Sequence, residues 1–329
     1  MNLMDIDPKQ RIVILGAAGF IGFHLAKYLH LNCKIELLLI DNFIRGKIDK
    51  SFEELSNLDR VKFIELDLSL EASYIDLFFE NDIVINCAAY NGTQNFYSKP
   101  VQVIRNSGIT AALAAEFCAK AKVKNYVYFA SSESYAGGVN LGFTSVPTDE
   151  KVPLVIEDLN NPRWSYAASK TFGELATIAN HYQFNLNFII LRIHNIYGPR
   201  MGFQHVIPDL IEKFKNGNTE VHGVDESRSF FYVEDLSQIV FGLIFNKGVK
   251  INSIYNVGST EEIKVEHLAR MILEEMGLKL KIKPMPSFMG SVSRRCPNTR
   301  LIRDQVAYQE TDLRQGLKST ISWYQSNRF

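Results

Sequence analysis

Short apolar runs punctuate this chain, each rich in β-branched or aromatic residues and too short to make a helix. They are Ile12-Val13-Ile14-Leu15, Ile35 to Ile40, Val61 to Leu66, Asp82 to Asn86, Tyr126 to Ala130 and Phe188 to Ile193. Runs of this kind read as strands buried on both faces. Between them apolar positions recur at helical spacing: beyond Gly22, at about 71–80, from Pro100 to about Lys122, and through NPRWSYAASKTFGELATIANHY. The charged segment from Asn42 to Arg60 is expected to be loop and helix. Alternating strands and helices predict an α/β fold with a parallel, doubly wound sheet, and such sheets bind ligands at the carboxyl ends of their strands. After Ile193 the alternation breaks down. Helices are expected at about 205–216, 234–246, 264–276 and 312–325, with short strands only at about 219–222 and 254–257. This predicts a first domain over 1–193 and a smaller mixed α/β lobe over 194–329. The two are interleaved, with about 224–260 returning to the first domain near Tyr255-Asn256-Val257. Internal repeats and low-complexity tracts are absent from the sequence.

Composition narrows this picture slightly. A chain of 329 residues with 46% hydrophobic and 22% charged residues can bury a core without staples. Its 36 basic and 36 acidic residues cancel, so no bulk field favours nucleic acid or a membrane surface, and an anionic ligand must be held by local groups. Cys33, Cys87, Cys118 and Cys296 are widely spaced and form no metal-binding pattern, which predicts reduced thiols and no metal. MNLMDIDPKQ is polar, unlike a signal peptide, and no apolar run is long enough to span a bilayer. A cytoplasmic location without membrane attachment is expected.

The candidate chemistry starts in the first strand, which runs into GAAGFIG. Gly16, Gly19 and Gly22 punctuate a strand-to-helix passage where the turn is tight, the backbone approaches a pyrophosphate, and the new helix packs closely. The phosphates would sit at the helix N-terminus. Asp41 ends the second strand 19 residues after Gly22, the distance at which an acid accepts hydrogen bonds from the adenosine ribose and repels a 2′-phosphate. The predicted cofactor is therefore NAD and not NADP. Arg45 alone argues the other way, and its plainer reading is a solvated loop charge. Asp67 closes the third strand where a side chain could reach the adenine, and Ala88 follows the fourth, small enough for a cofactor to lie against the backbone. After the fifth strand comes Ser131-Ser132-Glu133-Ser134-Tyr135. Farther on, Tyr166 and Lys170 share a helical face, where the ammonium would lower the phenol's pKa. A phenol so tuned can take a proton from a hydroxyl while a nicotinamide takes the hydride.

With GAAGFIG, SSESY, YAASK and HNIYGPR in order, essentially the whole chain resembles the extended short-chain dehydrogenase/reductase family, specifically its nucleotide-sugar epimerases, dehydratases and decarboxylases. The resemblance implies a Rossmann-type fold with Gly16, Gly19 and Gly22 at the NAD pyrophosphate, Asp41 at the ribose and Asp67 at the adenine. It gives Ser131, Tyr166 and Lys170 the catalytic roles. It places Asn195 and Arg228 at the substrate diphosphate and Arg295, of an R-x-P motif, at the substrate. His222 is a candidate to stack on the nucleobase, or is a plain surface histidine. Two departures stand out. The usual V-Y-G is Ser134-Tyr135-Ala136, and Glu133 stands where many 4-epimerases have a small residue but some dehydratases and the decarboxylases have glutamate.

The expected activity is an epimerase that uses retained NAD and a transient 4-keto sugar on a nucleotide diphosphate, with Glu133 the candidate for any extra catalytic step. A dehydratase or decarboxylase is the alternative, although no arginine-rich grip for a substrate carboxylate is evident in the sequence. A dinucleotide-binding sensor without catalysis is the rival from another class. The Ala-rich helix after Pro100 and the helix carrying Tyr166 are expected to form a homodimer interface, as in the family.

Overall fold

Six strands from the first 193 residues, β1 (Arg11–Leu15), β2 (Glu36–Asp41), β3 (Val61–Glu65), β4 (Ile83–Asn86), β5 (Asn125–Ser131) and β6 (Phe188–Ile193), lie parallel in one sheet. A seventh strand, Ser253–Val257, arrives from far along the chain and pairs parallel with β6, giving the order β3-β2-β1-β4-β5-β6 and then Ser253–Val257. The computed structural model describes residues 10–287 and 291–327.

Both faces of this sheet are covered, which is why its strands lack a polar side. Ile12, Ile14, Leu37, Leu39, Ile85, Val127 and Leu191 point to one face, against helix Phe20–Asn32 and Leu236, Ile239, Val240 and Leu243 of helix Val233–Phe245. Val13, Leu15, Leu38, Ile40, Val84, Tyr126 and Tyr128 point to the other, against Ala111, Ala114, Ala115 and Cys118 of helix Thr110–Lys120. The alternation is the period-two geometry of a strand.

The return of the later chain is thus carried by helix Val233–Phe245 and strand Ser253–Val257. Strand Ser227–Ser229 belongs instead to the lobe, in a sheet with Glu262–Lys264 and Arg294–Arg295. The lobe's own core joins Ile207, Leu210 and Phe214 to Leu268, Ile272, Leu317 and Ile321. Its strands of two or three residues, including Ile196–Tyr197 with Phe231–Tyr232 and Glu220–His222 with Lys283–Met285, are too short to leave a periodic signal.

Two expected helices differ. The one at about 71–80 is only a 3₁₀ turn, Glu71–Tyr74, because Asp76 and Asn81 take left-handed backbone conformations that helix cannot continue through. The one from Pro100 opens as Pro100–Val103, widens into a π segment over Ile104–Ile109, and resumes as Thr110–Lys120. Gly108 in the wide turn lies against Ser169 of helix Trp164–Phe184. The four cysteines are unpaired.

Candidate active site

At the carboxyl end of β1 the chain turns back on itself at Gly16, whose φ of +79° and contact with Ala88 exclude a side chain: a Cβ would lie 2.8 Å from the Ala88 backbone. Gly22 sits behind this turn, where a Cβ would meet the Gly16 carbonyl oxygen at 2.2 Å. It packs helix Phe20–Asn32 on the turn and does not itself line the cleft. Gly16, Gly19, Asp41, Asp67 and Ala88 do line one cleft, together with Arg45 and Asn106.

Asp41 also builds the turn it faces. Its Oδ2 accepts from the Ala18 amide at 2.9 Å and its Oδ1 from Phe43 at 2.7 Å. Burial pushes its carboxyl up from the ordinary value while these amides oppose the rise. Asp67 Oδ1 accepts from the Ser69 amide at 2.9 Å and stays half-buried at the far end of the cleft. A glycine cradle that a side chain would fill, an acid at one end and small residues along the wall fit an extended dinucleotide.

The second half of the site meets the first at β5. Ser131 ends this strand in extended conformation, and its Oγ accepts from the Glu133 amide at 3.2 Å. Tyr166 stands in the first turn of helix Trp164–Phe184, its ring stacked on Phe96 with centroids 4.8 Å apart. One turn on, buried Lys170 donates from Nζ to the Phe129 carbonyl at 2.7 Å and lies 5.9 Å from the Tyr166 ring centroid. Burial brings its ammonium down to about 8. The phenol is not lowered as its spacing from Lys170 suggests. Burial and the charge of Glu133 push it up, while a hydrogen bond with Ser131 and the charge of Arg45 pull the other way.

Glu133 lies between two guanidinium groups, 3.1 Å from Arg163 Nη2 and 2.9 Å from Arg295 Nη2. These cations overcome the burial that would raise its pKa and hold it at about 2. So placed it is a carboxylate at neutral pH, unable to deliver a proton to a departing hydroxyl. Arg163 was not singled out in the sequence: it stands only three residues before Tyr166, but its partner Glu133 is 30 residues away. Arg228 joins from the lobe, paired with Glu226 at 2.6 Å, and burial with the neighbouring Arg295 lowers it to about 10.

Ser131, Glu133, Arg163, Tyr166, Asn195, Arg228, Arg295 and His222 all line one cleft of about 850 Å³ between sheet and lobe. Asn195 donates to the Ser229 carbonyl at 2.9 Å, and a nitrogen of His222 lies 2.9 Å from the Pro286 carbonyl oxygen. Arg200, at the end of HNIYGPR, escaped the sequence reading. Its guanidinium binds Asp49 at 2.7 Å and the Ala18 carbonyl at 2.9 Å, tying the lobe's first loop to the glycine turn. Among the described residues no group of three His, Cys, Asp or Glu is placed to hold a metal.

Residues 12–258 match the model of the NAD dependent epimerase/dehydratase family. The chain belongs to that family. Its cofactor is NAD, and the cradle from Gly16 to Asp67 fits it. Among relatives of this family member, the UDP-N-acetyl-alpha-D-glucosaminuronate decarboxylase of Bacillus cytotoxicus is 29% identical over 331 residues, covering 96% of this chain and 98% of that protein. The dTDP-D-glucose 4,6-dehydratase of Dictyostelium discoideum is 29% identical over 292 residues, 83% of this chain but 64% of that protein. In fold the chain is similar to the UDP-glucose 4-epimerase of Thermotoga maritima, with a TM-score of 0.82 at 24% identity over 96% of this chain and 99% of that one. It is also similar to the dTDP-glucose 4,6-dehydratase of Streptomyces venezuelae, with a TM-score of 0.86 at 21% identity over 97% and 98%.

Proposed function

We propose that this chain epimerises a nucleotide-diphosphate sugar through a transient 4-keto intermediate, with NAD retained between the two hydride steps. The observation that carries the reading is that Ser131 and Tyr166 line one cleft with Arg228 and Arg295, with Lys170 buried one helical turn behind Tyr166 and the dinucleotide cradle at the carboxyl end of the same sheet. NAD, when bound, supplies the hydride acceptor and donor. Tyr166 takes the proton of the sugar hydroxyl, and Ser131, in hydrogen bond with it, orients that hydroxyl. Charged Lys170 beneath favours the phenolate as the proton moves. Arg228 and Asn195 face the diphosphate, Arg295 the sugar, and His222 the base. Inversion then needs only that the keto-sugar present its other face before hydride returns.

A panel of UDP-, GDP-, CDP- and dTDP-sugars, followed by mass spectrometry and NMR, tests the reading. Unchanged mass with one inverted centre is expected. Tyr166→Phe should still bind NAD but lose turnover by at least about 100-fold, the scale of general acid–base catalysis; full turnover by that variant would sink the assignment. Stabilisation by NAD alone, with no response to any nucleotide sugar, would favour the sensor.

One observation favours a second reading. Arg163 and Arg295 flank Glu133 beside the catalytic groups, and two guanidinium forks are what a ring carboxylate requires. Loss of carbon dioxide from a nucleotide-linked uronic acid in the same panel would replace epimerisation with decarboxylation.

A homodimer through the two helices is part of the proposal. Val101 at 76%, Leu175 at 64% and Tyr182 at 82% exposure support it. Light scattering should give twice the monomer mass, and Leu175→Glu should reduce it to the monomer. The unpaired thiols support a reducing, cytoplasmic setting. No helix among the described residues is long and apolar enough to cross a membrane.

A further inference from the structure

Arg45 follows Asp41 by four residues, where either a loop charge or a partner for a 2′-phosphate would fit. Its surroundings point elsewhere. Gly46 is pressed onto the glycine turn, since a Cβ there would lie 2.8 Å from Ala18 Cβ and 2.9 Å from the Ala18 carbonyl carbon. The backbone at Arg45 is therefore fastened across the turn that receives the phosphates. From this base the half-buried side chain runs along the cleft. Its Nη1 reaches 3.4 Å from Gln204 Oε1, and its Nη2 lies 3.6 Å from where a Cβ on Gly202 would stand. Its charge is felt by Tyr166. Arg45 thus lines the cleft that holds Asp41 and reaches Gln204, which lines the neighbouring cleft that holds Tyr166. An extended dinucleotide must carry its diphosphate linkage between the two. Arg45 is also the one cation among the described residues lining the dinucleotide cleft, whose other charged groups are Asp41 and Asp67.

We propose that Arg45 grips the cofactor's pyrophosphate from the side opposite the glycine turn and straps it to the substrate lobe through Gln204. The amides of the turn offer partial charges to the phosphates. Arg45 adds the formal charge and a planar fork of donors, of which Gln204 engages one edge at long range. Gln204 is itself held by Asn95 at 3.1 Å, so the strap ends on a fixed point of the cleft wall. Cofactor release then requires the guanidinium to let go, which suits an enzyme that keeps NAD through both hydride transfers. The inference needs only the family's cofactor and not the sugar chemistry.

The test is binding of NAD, ADP-ribose, adenosine and NADP to wild type, Arg45→Ala and Arg45→Lys by calorimetry, with NAD dissociation followed by stopped-flow fluorescence. Arg45→Ala is expected to weaken NAD and ADP-ribose about 10- to 100-fold, the worth of a charge-assisted phosphate contact, and to speed NAD dissociation to match. Adenosine affinity should stay unchanged, and Arg45→Lys should recover part of the loss. Gln204→Ala should speed dissociation by a smaller factor. Unaltered NAD affinity in Arg45→Ala, or a loss confined to NADP, would overturn the assignment. An equal loss for adenosine would reduce Arg45 to a support of the loop. Turnover is not read in any arm, so the epimerase reading can fail without touching this result.

Discussion

In the proposed chemistry Lys170 must be charged to favour a phenolate, yet it is buried where charge is costly, which leaves its ammonium at about 8. Activity should therefore fall as pH rises through about 8, with the charged form predominating below. Lys170→Arg, which stays charged, should move that limb upward in a profile of kcat against pH; an unmoved limb would assign it to another group. Glu133 carries the opposite sign. Its folded pKa of about 2 is below the ordinary carboxylate value, so its stabilising contribution is full above that ordinary value and fades as pH falls from about 4.5 to about 2. The Tm gap between wild type and Glu133→Gln should be widest above pH 5 and narrow below 4.5. Placement was legible where local spacing fixes it: Gly16 and Asp41 do meet at one turn, and Tyr166 and Lys170 do stack one helical turn apart. Arg163 and Arg200 were illegible because their partners, Glu133 and Asp49, stand 30 and 151 residues away and no local pattern joins them, and Arg45 was noticed without its contact to Gln204, 159 residues on.

Helix Trp164–Phe184 carries both Tyr166 and Lys170, the proposed acid–base pair, and its seating depends on a residue that helix propensity disfavours. Gly173 faces Tyr128 so closely that a Cβ would lie 2.2 Å from the hydroxyl oxygen and 2.9 Å from Ala111 Cβ. On an exposed helix Gly→Ala would gain about 1 kcal/mol. Here overpacking dominates, and Gly173→Ala should destabilise by about 1–3 kcal/mol in urea titrations. Tyr128 lies under Lys170, with Nζ 5.1 Å from its ring centroid, so the substitution should also lower kcat more than it changes KM. The strand-and-helix rhythm was readable for elements whose burial repeats over two turns or more. It misled at 71–80, where the left-handed backbone of Asp76 ends a segment whose apolar spacing looks helical. In the lobe, strands of two or three residues are held by tertiary pairing that no periodicity announces.

Across the molecule, acid should act first where sheet and lobe meet. His24 is drawn down to about 4, His205 to about 4 and His194 to about 3, each chiefly by burial. His24 lies between Phe20 and Phe23 with Nε2 2.8 Å from the Pro199 carbonyl oxygen, while His205 precedes the lobe helix Val206–Lys215 and His194 follows β6. A folded pKa below the unfolded value near 6.5 means that the unfolded chain takes up protons first, so stability is full above about 6.5 and declines toward pH 4. Urea midpoints should fall between pH 7 and 5, and His24→Gln should flatten that slope. A midpoint independent of pH over this range would show that these imidazoles do not control the junction.

The seventh strand has a consequence for the order in which the molecule can be made. Ser253 follows Ile193 by 60 residues, so β6 leaves the ribosome well before the strand that covers its outer edge. At about 5–20 residues per second, that edge of Phe188-Ile189-Ile190-Leu191 stands open for about 3–12 s, an apolar template for any other nascent chain. Asn256 also arrives late, although Tyr135 donates its hydroxyl to it at 2.8 Å. A chain ended at residue 193 should accordingly be recovered in inclusion bodies, and the full chain should give more soluble protein when translation is crowded with chaperones that shield bare strand edges.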